Sequence, residues 1–277
     1  CYNKRMSKPV YLQDMKTGRI VVYAPERVGR PAESGKIVGC PFCAGNESMT
    51  PPVILEKTDS AGRWLIRVFP NKFPITECHE VVVHSSDHVK DVEDLPVSQV
   101  ELILQAYRER FNFLKNLGQV LIFCNHGKIA GASLTHPHSQ ITVIPNNIDF
   151  NVLYKQPVAN IIAQSKFFSA YCPEFSQWPY EVWIAPQITD GEFGNITDEQ
   201  IIDLAPLWQK SLQALRAVTG EPFVYNSYIH HINDWYLRII PRQVYRAGFE
   251  LGTGLAVNTI SPSIASQKLQ NALLTVN

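Results

Sequence analysis

The chain has 277 residues, of which 45% are hydrophobic and 18% are charged, a composition typical of folded globular proteins. Its 25 basic and 25 acidic residues balance, so charge gives no indication of binding to nucleic acid or to an anionic membrane. The longest apolar runs, such as residues 120–124, are too short to cross a bilayer, and residues 2–13 lack the apolar core of a signal peptide. We therefore expect a cytoplasmic protein whose six cysteines are reduced.

A predicted strand over residues 18–23 leads into a loop with proline and glycine that presents Arg27 and Arg30. Two arginines in a surface loop are compatible with simple solvation. The guanidinium fork also suits phosphate oxygens. Both interpretations stay open from the loop alone.

The next motif is Cys40-Pro41-Phe42-Cys43, and its C-x-x-C spacing is typical of half of a zinc site. No second C-x-x-C follows, so the remaining ligands must be histidines or carboxylates. A redox dithiol is the alternative, but that motif belongs at the start of a helix. Gly45, Pro51 and Pro52 favour a loop here and therefore a metal site.

The following elements alternate between strands and one helix. Residues 64–69 and 80–83 read as strands, and residues 119–124 read as another. Between them, residues 97–117 show helical periodicity. The apolar face of that helix consists of Val100, Ile103, Leu104, Tyr107, Phe111 and Leu114.

A small-residue turn then leads into His136, His138 and Gln140, which are spaced two apart. Apolar residues 141, 143 and 144 follow, so the segment is predicted to be a strand, with Pro137 near its start. Side chains two apart on a strand share a face, and we expect the three polar side chains to line one. Ordinary solvated polar residues are the alternative. Three polar side chains converging behind a small-residue turn favour a functional site.

The second half repeats the order strand, helix, strand, strand. Residues 237–241 echo residues 141–145, and this offset of 96 places Asp234 opposite His138 and Tyr236 opposite Gln140. We interpret the chain as a duplicated unit whose second copy has lost its chemistry.

The irregular residues 146–178 hold the predicted boundary between the copies. The predicted halves are residues 1–147, which are catalytic and carry the metal site, and residues 148–277, which are degenerate. Antiparallel sheets with packed helices make the predicted fold class α+β.

Five motifs in this order carry a family resemblance. They are Cys-Pro-Phe-Cys-Ala-Gly-Asn-Glu at 40–47, Pro-Asn-Lys-Phe-Pro at 70–74, Ser-Ser-Asp-His at 85–88, Gly-Ala-Ser-x-x-His-Pro-His-Ser-Gln at 131–140, and Gly-Phe-Glu at 248–250. Together they resemble the galactose-1-phosphate uridylyltransferase branch of the histidine-triad superfamily, and the spelling around the histidines is also similar to the ADP-glucose phosphorylases.

The resemblance implies a nucleotidylyltransferase. His138 would be the nucleophile that takes a nucleoside monophosphate from a nucleotide sugar and passes it to a sugar 1-phosphate. Gln140 would bond a phosphate oxygen, and, unlike a third histidine, it cannot move protons for water. The further substrate-binding residues implied are Ser133 and Asn125 at the phosphates and Arg27, Arg30 and Asn71 at the nucleotide end.

The resemblance also implies a structural zinc ion, held by Cys40, Cys43, His88 and His136. His84 is the alternative to His88 as third ligand. Glu250 matches a family residue that reaches the sugar across a dimer interface, which implies a homodimer. The second metal site of some relatives is expected to be absent, because Ile232 and Asp234 stand at its strand positions.

Two other functions remain open. A phosphorylase on the same fold would use phosphate as its acceptor, and Gln140 is compatible with it. A non-catalytic, zinc-containing nucleotide-binding module would leave His138 and Gln140 without a role.

Overall fold

The computed structural model describes residues 8–29, 39–148, 153–188, 191–230 and 233–276. Arg30 and the Ile232 position lie outside these ranges. The strands are β1 Val10–Gln13, β2 Ile20–Tyr23, β3 Leu55–Thr58, β4 Trp64–Pro70, β5 Cys78–Val83, β6 Gln119–His126, β7 His138–Ile144, β8 Ile161–Gln164, β9 Phe168–Tyr171, β10 Val182–Pro186, β11 Tyr225–Ile229 and β12 Leu237–Pro241. The helices are α1 Val97–Leu114, α2 Asp198–Thr219, α3 Gly248–Thr253 and α4 Pro262–Leu273.

Ten of these strands form one sheet whose order is symmetric about its centre. The order is β3-β4-β5-β7-β6-β11-β12-β10-β9-β8, and every neighbouring pair is antiparallel. Five strands come from each half of the chain, and the central pair β6–β11 sets Asn125 opposite Asn226. The predicted α+β fold with a duplicated unit is thereby confirmed.

One face of the sheet is covered by helices. On β6, Val120, Ile122 and Cys124 join a buried core with residues of α1 and α2. The alternate residues of β6, Leu121, Phe123 and Asn125, are only partly buried because they lie on the opposite face. That uncovered face is where polar side chains can meet a ligand. In the ranges described, no helix combines the length and the apolar character needed to cross a membrane.

The ends of several elements differ from the sequence-based expectation. Strand β7 begins at His138 rather than before His136, because Pro137 has no N–H to donate to the sheet. His136 therefore does not share a strand face with His138 and Gln140, which corrects that prediction. The irregular stretch at 146–178 contains β8 and β9, four-residue strands too short to give a clear pattern.

A buried carboxyl group lies in the segment between β5 and α1. Glu93 is 3% exposed, and its Oε2 has no hydrogen-bond partner in the part of the chain that the structure describes. Burial and then the charge of Asp91 raise the pKa of Glu93 to about 7, against the opposing effects of His126 and Arg216. Ionisation of Glu93 therefore costs free energy in the folded protein.

Replacing Glu93 should therefore stabilise the protein at alkaline pH. The folded pKa lies above the ordinary value of 4.5, so the wild type should lose stability as pH rises from about 5 through 7. We expect Glu93→Gln to increase the free energy of unfolding more at pH 8 than at pH 5, and the difference between the two effects should be roughly 1–3 kcal/mol. Urea unfolding at both pH values measures this. Asp94→Asn, at an exposed carboxylate paired with Arg216, is the matched control. An equal effect of Glu93→Gln at both pH values would contradict the prediction.

Candidate active site

A cavity of about 230 Å³ opens on the uncovered sheet face beside β4, β5 and β7. Its walls come from the cysteine loop, the residues after β4 and the turn before β7. The lining residues are Arg27, Pro41, Phe42, Met49, Thr50, Pro51, Phe69, Asn71, Lys72, Phe73, Val81, Ser133, Leu134, His138 and Gln140. The walls are mostly apolar, with a few polar side chains among them that include His138 and Gln140, an arrangement typical of a small-molecule site.

His138 is 8% exposed, and its tautomer follows from its contacts. The Nδ1 atom lies 2.8 Å from the carbonyl oxygen of His136, which can only accept, so Nδ1 carries the hydrogen. The lone pair is therefore on Nε2. Burial lowers the pKa of His138 to about 4, so the ring is neutral near pH 7. A neutral imidazole with Nε2 unprotonated is ready to act as a nucleophile.

The turn that carries Ser133 is held by the second half of the chain. Asn226 Nδ2 donates to the carbonyl of Ala130 at 2.9 Å and to Asn125 Oδ1 at 2.8 Å. Gly127 opens the turn with φ +82°, and a Cβ there would come within 3.0 Å of Val224. Both constraints fix the loop that brings Ser133 to the cavity.

Cys40, Cys43, His88 and His136 bring four metal-ligating atoms together. The two sulfur atoms lie 3.7 and 3.6 Å from His136 Nδ1, and Cys43 Sγ lies 3.2 Å from His88 Nδ1. Ligands of one tetrahedral zinc ion, with bonds of about 2.3 Å to sulfur and about 2.0 Å to nitrogen, are roughly 3.6 Å apart. The residues present therefore fit a metal ion.

The protonation pattern of the cluster also suits a cation. His136 Nε2 lies 2.9 Å from the carbonyl oxygen of Ser85, so it must donate and leave Nδ1 free to ligate. Burial and then the charge of Cys40 raise the pKa of Cys43. A bound cation would remove that penalty by pairing with both thiolates.

The cluster lies against His138. Phe42, between the two cysteines, contacts the His138 ring edge-on with centroids 5.2 Å apart. His136 and His138 are separated only by Pro137, so His136 of the cluster directly precedes the strand that carries His138. His84 is elsewhere, since its Nδ1 bonds Asp91 Oδ1 at 2.8 Å on the helix side. The geometry therefore places His88, and not His84, beside the cysteines.

The sequence of the chain is similar to those of known proteins. A family model described as the galactose-1-phosphate uridyl transferase N-terminal domain matches residues 67–143. The chain is 26% identical to the ADP-glucose phosphorylase of Arabidopsis thaliana, with 96% of this chain and 94% of that protein covered. It is 23% identical to the galactose-1-phosphate uridylyltransferase of Thermotoga maritima, with 69% and 73% covered.

A solved structure is also similar. The crystal structure of an ADP-glucose phosphorylase from Arabidopsis thaliana with bound ADP-glucose superposes with a TM-score of 0.75 at 25% identity, covering 95% of this chain and 99% of that one. This chain is similar in sequence and in fold to members of the galactose-1-phosphate uridylyltransferase family. The family resemblance carried by the five motifs is therefore confirmed.

The remaining predicted binding residues fall into three groups. Arg27, Asn71 and Ser133 line the cavity of His138. Asn125 lines a second cavity, of about 690 Å³, on the same sheet face. Glu250 lines neither cavity; on α3 its Oε2 accepts from Ala247 N at 3.0 Å.

Three residues that sequence reasoning did not select shape the site. Phe42 walls the cavity, His79 contacts Gln140, and Asn226 holds the turn. Asn226 had a usable signal, because residues 223–226 echo residues 122–125 at an offset of 101 and so align Asn226 with Asn125. His79 looked like one polar residue at the start of an apolar strand, and nothing in its spacing pointed to Gln140.

In the second copy, Asp234 and Tyr236 make structural contacts instead. The Asp234 carboxylate pairs with Lys155 Nζ at 2.5 Å. The Tyr236 hydroxyl donates to the carbonyl of Leu153, and its ring stacks on Trp183 with centroids 3.9 Å apart.

Proposed function

We propose that this protein transfers a nucleoside monophosphoryl group from a nucleotide sugar to a phosphate-bearing acceptor through a covalent intermediate on His138. The observation that carries the proposal is the hydrogen bond from His138 Nδ1 to the His136 carbonyl, which leaves the lone pair on Nε2. The similarity to galactose-1-phosphate uridylyltransferases and to an ADP-glucose phosphorylase supports the same class of reaction.

The reaction has two displacements. His138 Nε2 forms a bond to the α-phosphorus, and the bond to the sugar 1-phosphate breaks, so that group leaves with the electron pair. In the second step an acceptor oxygen attacks the phosphorus and the phosphorus–nitrogen bond breaks. Charge develops on the phosphoryl oxygens in both steps, and we assign its stabilisation to Gln140, Ser133 and Arg27 at the cavity wall.

Isotope exchange tests this scheme. Labelled sugar 1-phosphate should exchange into its own nucleotide sugar with no second substrate present, because the first displacement is reversible on its own. A wild type that turns over substrate without such exchange, and without an adduct on His138, would refute the covalent mechanism.

Two acceptors are consistent with the family. A hexose 1-phosphate acceptor makes the protein a uridylyltransferase, as the Thermotoga relative is named. Inorganic phosphate makes it a phosphorylase, as the Arabidopsis relative is named, and that relative matches almost the whole chain. Crossing UDP-glucose and ADP-glucose with each acceptor separates the two. A non-catalytic nucleotide-binding module predicts that no combination yields an adduct by intact mass.

We further propose a structural zinc ion at Cys40, Cys43, His88 and His136. When bound, it would fix the cysteine loop and His136, and so hold Phe42 and the start of β7. We also infer that residues 1–147 supply the chemistry, that residues 148–277 form no adduct, and that Glu250 reaches the sugar of a partner within a homodimer.

The identity of residue 140 should control whether water can react with the intermediate. Glutamine cannot accept a proton from water, whereas histidine can. We expect Gln140→His to release sugar 1-phosphate continuously without an acceptor, at a rate at least about 10-fold above that of the wild type. A coupled assay for sugar 1-phosphate measures this. Gln270→His, on the exposed side of α4, is the matched control. Equal acceptor-free release by Gln140→His and wild type would contradict the prediction.

A further inference from the structure

A buried histidine on the neighbouring strand sets the orientation of the Gln140 side chain. Both side chains are nearly inaccessible, with His79 2% and Gln140 4% exposed. His79 Nε2 lies 3.0 Å from Gln140 Oε1. Val81, two residues along β5 from His79, is the residue paired with Gln140 on β7, so His79 sits diagonally across from it.

The backbone fixes which nitrogen of His79 carries the hydrogen. The N–H of Ile75 points at His79 Nδ1 with a nitrogen-to-nitrogen distance of 2.9 Å. A backbone N–H can only donate, so Nδ1 must offer its lone pair and the hydrogen must be on Nε2. The opposite tautomer would set two N–H groups against each other in a buried site, which typically costs about 1–3 kcal/mol.

The tautomer in turn fixes the amide. Because Nε2 of His79 donates, the atom of Gln140 that faces it must be the acceptor Oε1, and the NH₂ group is turned away from His79. Gln140 lines the cavity beside His138. We propose that His79 is a positioning residue for nucleotidyl transfer, which holds the Gln140 amide with its NH₂ group toward the phosphoryl oxygens; this rests on the proposed function.

The side-chain amide of Asn71, which also lines the cavity, is oriented in the same way. Asn71 Oδ1 accepts from the N–H of Phe73 at 2.8 Å, which leaves Nδ2 as the group available to a ligand. Asn71 Nδ2 and His79 Nε2 are 3.2 Å apart, and both carry hydrogens, so that contact is not a hydrogen bond. Two primary amides therefore have their oxygens used by the protein and their donors left for an anion.

The orientation matters because an amide has two opposite ends. An NH₂ group stabilises the charge that develops on a transferring phosphoryl group, whereas a carbonyl oxygen in the same place repels it. Rotation of Gln140 by half a turn would exchange one for the other with no change in shape. His79 blocks that rotation, because the rotated amide would set NH₂ against N–H.

The tautomer is measurable in the wild-type protein without any activity assay. Two-bond ¹H–¹⁵N correlation spectra of ¹⁵N-histidine-labelled protein distinguish the two neutral tautomers, and His79→Asn identifies the His79 signals among the eight histidines. We expect His79 to carry its hydrogen on Nε2. A His79 signal from the Nδ1-protonated ring would overturn the proposal whatever the activity of the variants.

A double-mutant cycle tests the role in transfer. We expect His79→Asn to lower kcat about 10- to 100-fold with KM within about 3-fold, since the donor acts mainly on developing charge. His79→Gln, whose longer side chain again presents an NH₂ group, should recover most of that loss. In a Gln140→Ala background, His79→Asn should change kcat less than about 3-fold, because the amide it positions is gone.

The control pair uses His126→Asn, at a histidine that faces Asp91 rather than Gln140, and its effect should add to that of Gln140→Ala. A purely structural role for His79 predicts the same additivity for His79→Asn, and that result would overturn the proposal. A wild type with the Nε2-protonated ring but no adduct and no transfer would instead leave the amide orientation supported and overturn the proposed function.

Discussion

His138→Gly should abolish nucleotidyl transfer by double displacement, with a loss of roughly four orders of magnitude or more in kcat. The reason is geometric: His138 presents Nε2 to the cavity while Nδ1 is committed to the His136 carbonyl, and no other described side chain of the cavity wall is an imidazole. The fold and the metal content should be unchanged, because the His138 ring is not part of the Cys/His cluster. Isotope-exchange kinetics measure the loss of transfer, and circular dichroism checks that the fold is unchanged.

Peptide mapping of adduct-bearing wild type provides the companion control. The label should fall on the peptide that contains His138 and on none from residues 180–277, since Asp234, which aligns with His138, is a carboxylate paired with Lys155. A labelled residue in that second half would show that the degenerate copy is chemically active. Exchange that persists in His138→Gly would be equally decisive against the mechanism.

Replacing Cys40 and Cys43 with serine should remove the metal, from about one zinc ion per chain to nearly none. The two thiolates supply half of the ligand set, and a hydroxyl is a much poorer zinc ligand at neutral pH. Without the cation, Phe42 and His136 lose their common anchor, so both melting temperature and transfer rate should fall. Elemental analysis and thermal unfolding test this.

Two comparisons make the zinc experiment specific. Cys172→Ala alters a cysteine that is 1% exposed in the second half and should leave metal content unchanged. His136→Asn should lower metal content and stability, in contrast to His138→Gly, which should lower only activity. Wild-type protein without zinc, or a double serine variant that keeps it, contradicts the assignment.

The parts of this site that sequence could predict are those with a short, repeating spacing. His138 and Gln140 are two apart, Cys40 and Cys43 are three apart, and the duplication shows as the same order of elements at offsets of 96 to 101 residues. Each of these relations lies within one element or one alignment, so chain order is enough to find it. The fold class follows from the same elements.

The rest depended on contacts between distant parts of the chain. His79 reaches Gln140 from a neighbouring strand, 61 residues away, and Asn226 reaches Ala130 from 96 residues away. The start of β7 also escaped prediction, because the His136 ring is held by Ser85 and the cysteines rather than by strand alternation. Such placements are set by tertiary packing, which overrides local pattern.

The central β6–β11 pairing has a consequence for the order of folding. Each half can build its own hairpins from nearby residues, but the hydrogen bond between Asn125 and Asn226 joins residues 101 apart. Closing a loop of that length costs entropy before any contact compensates for it, so this seam should form late. The turn that carries Ser133 is also held across this pairing, by the hydrogen bond from Asn226 to the carbonyl of Ala130. A newly made chain should therefore acquire both five-strand halves before it becomes competent to carry a nucleotide, and catalytic competence reports that folding is complete.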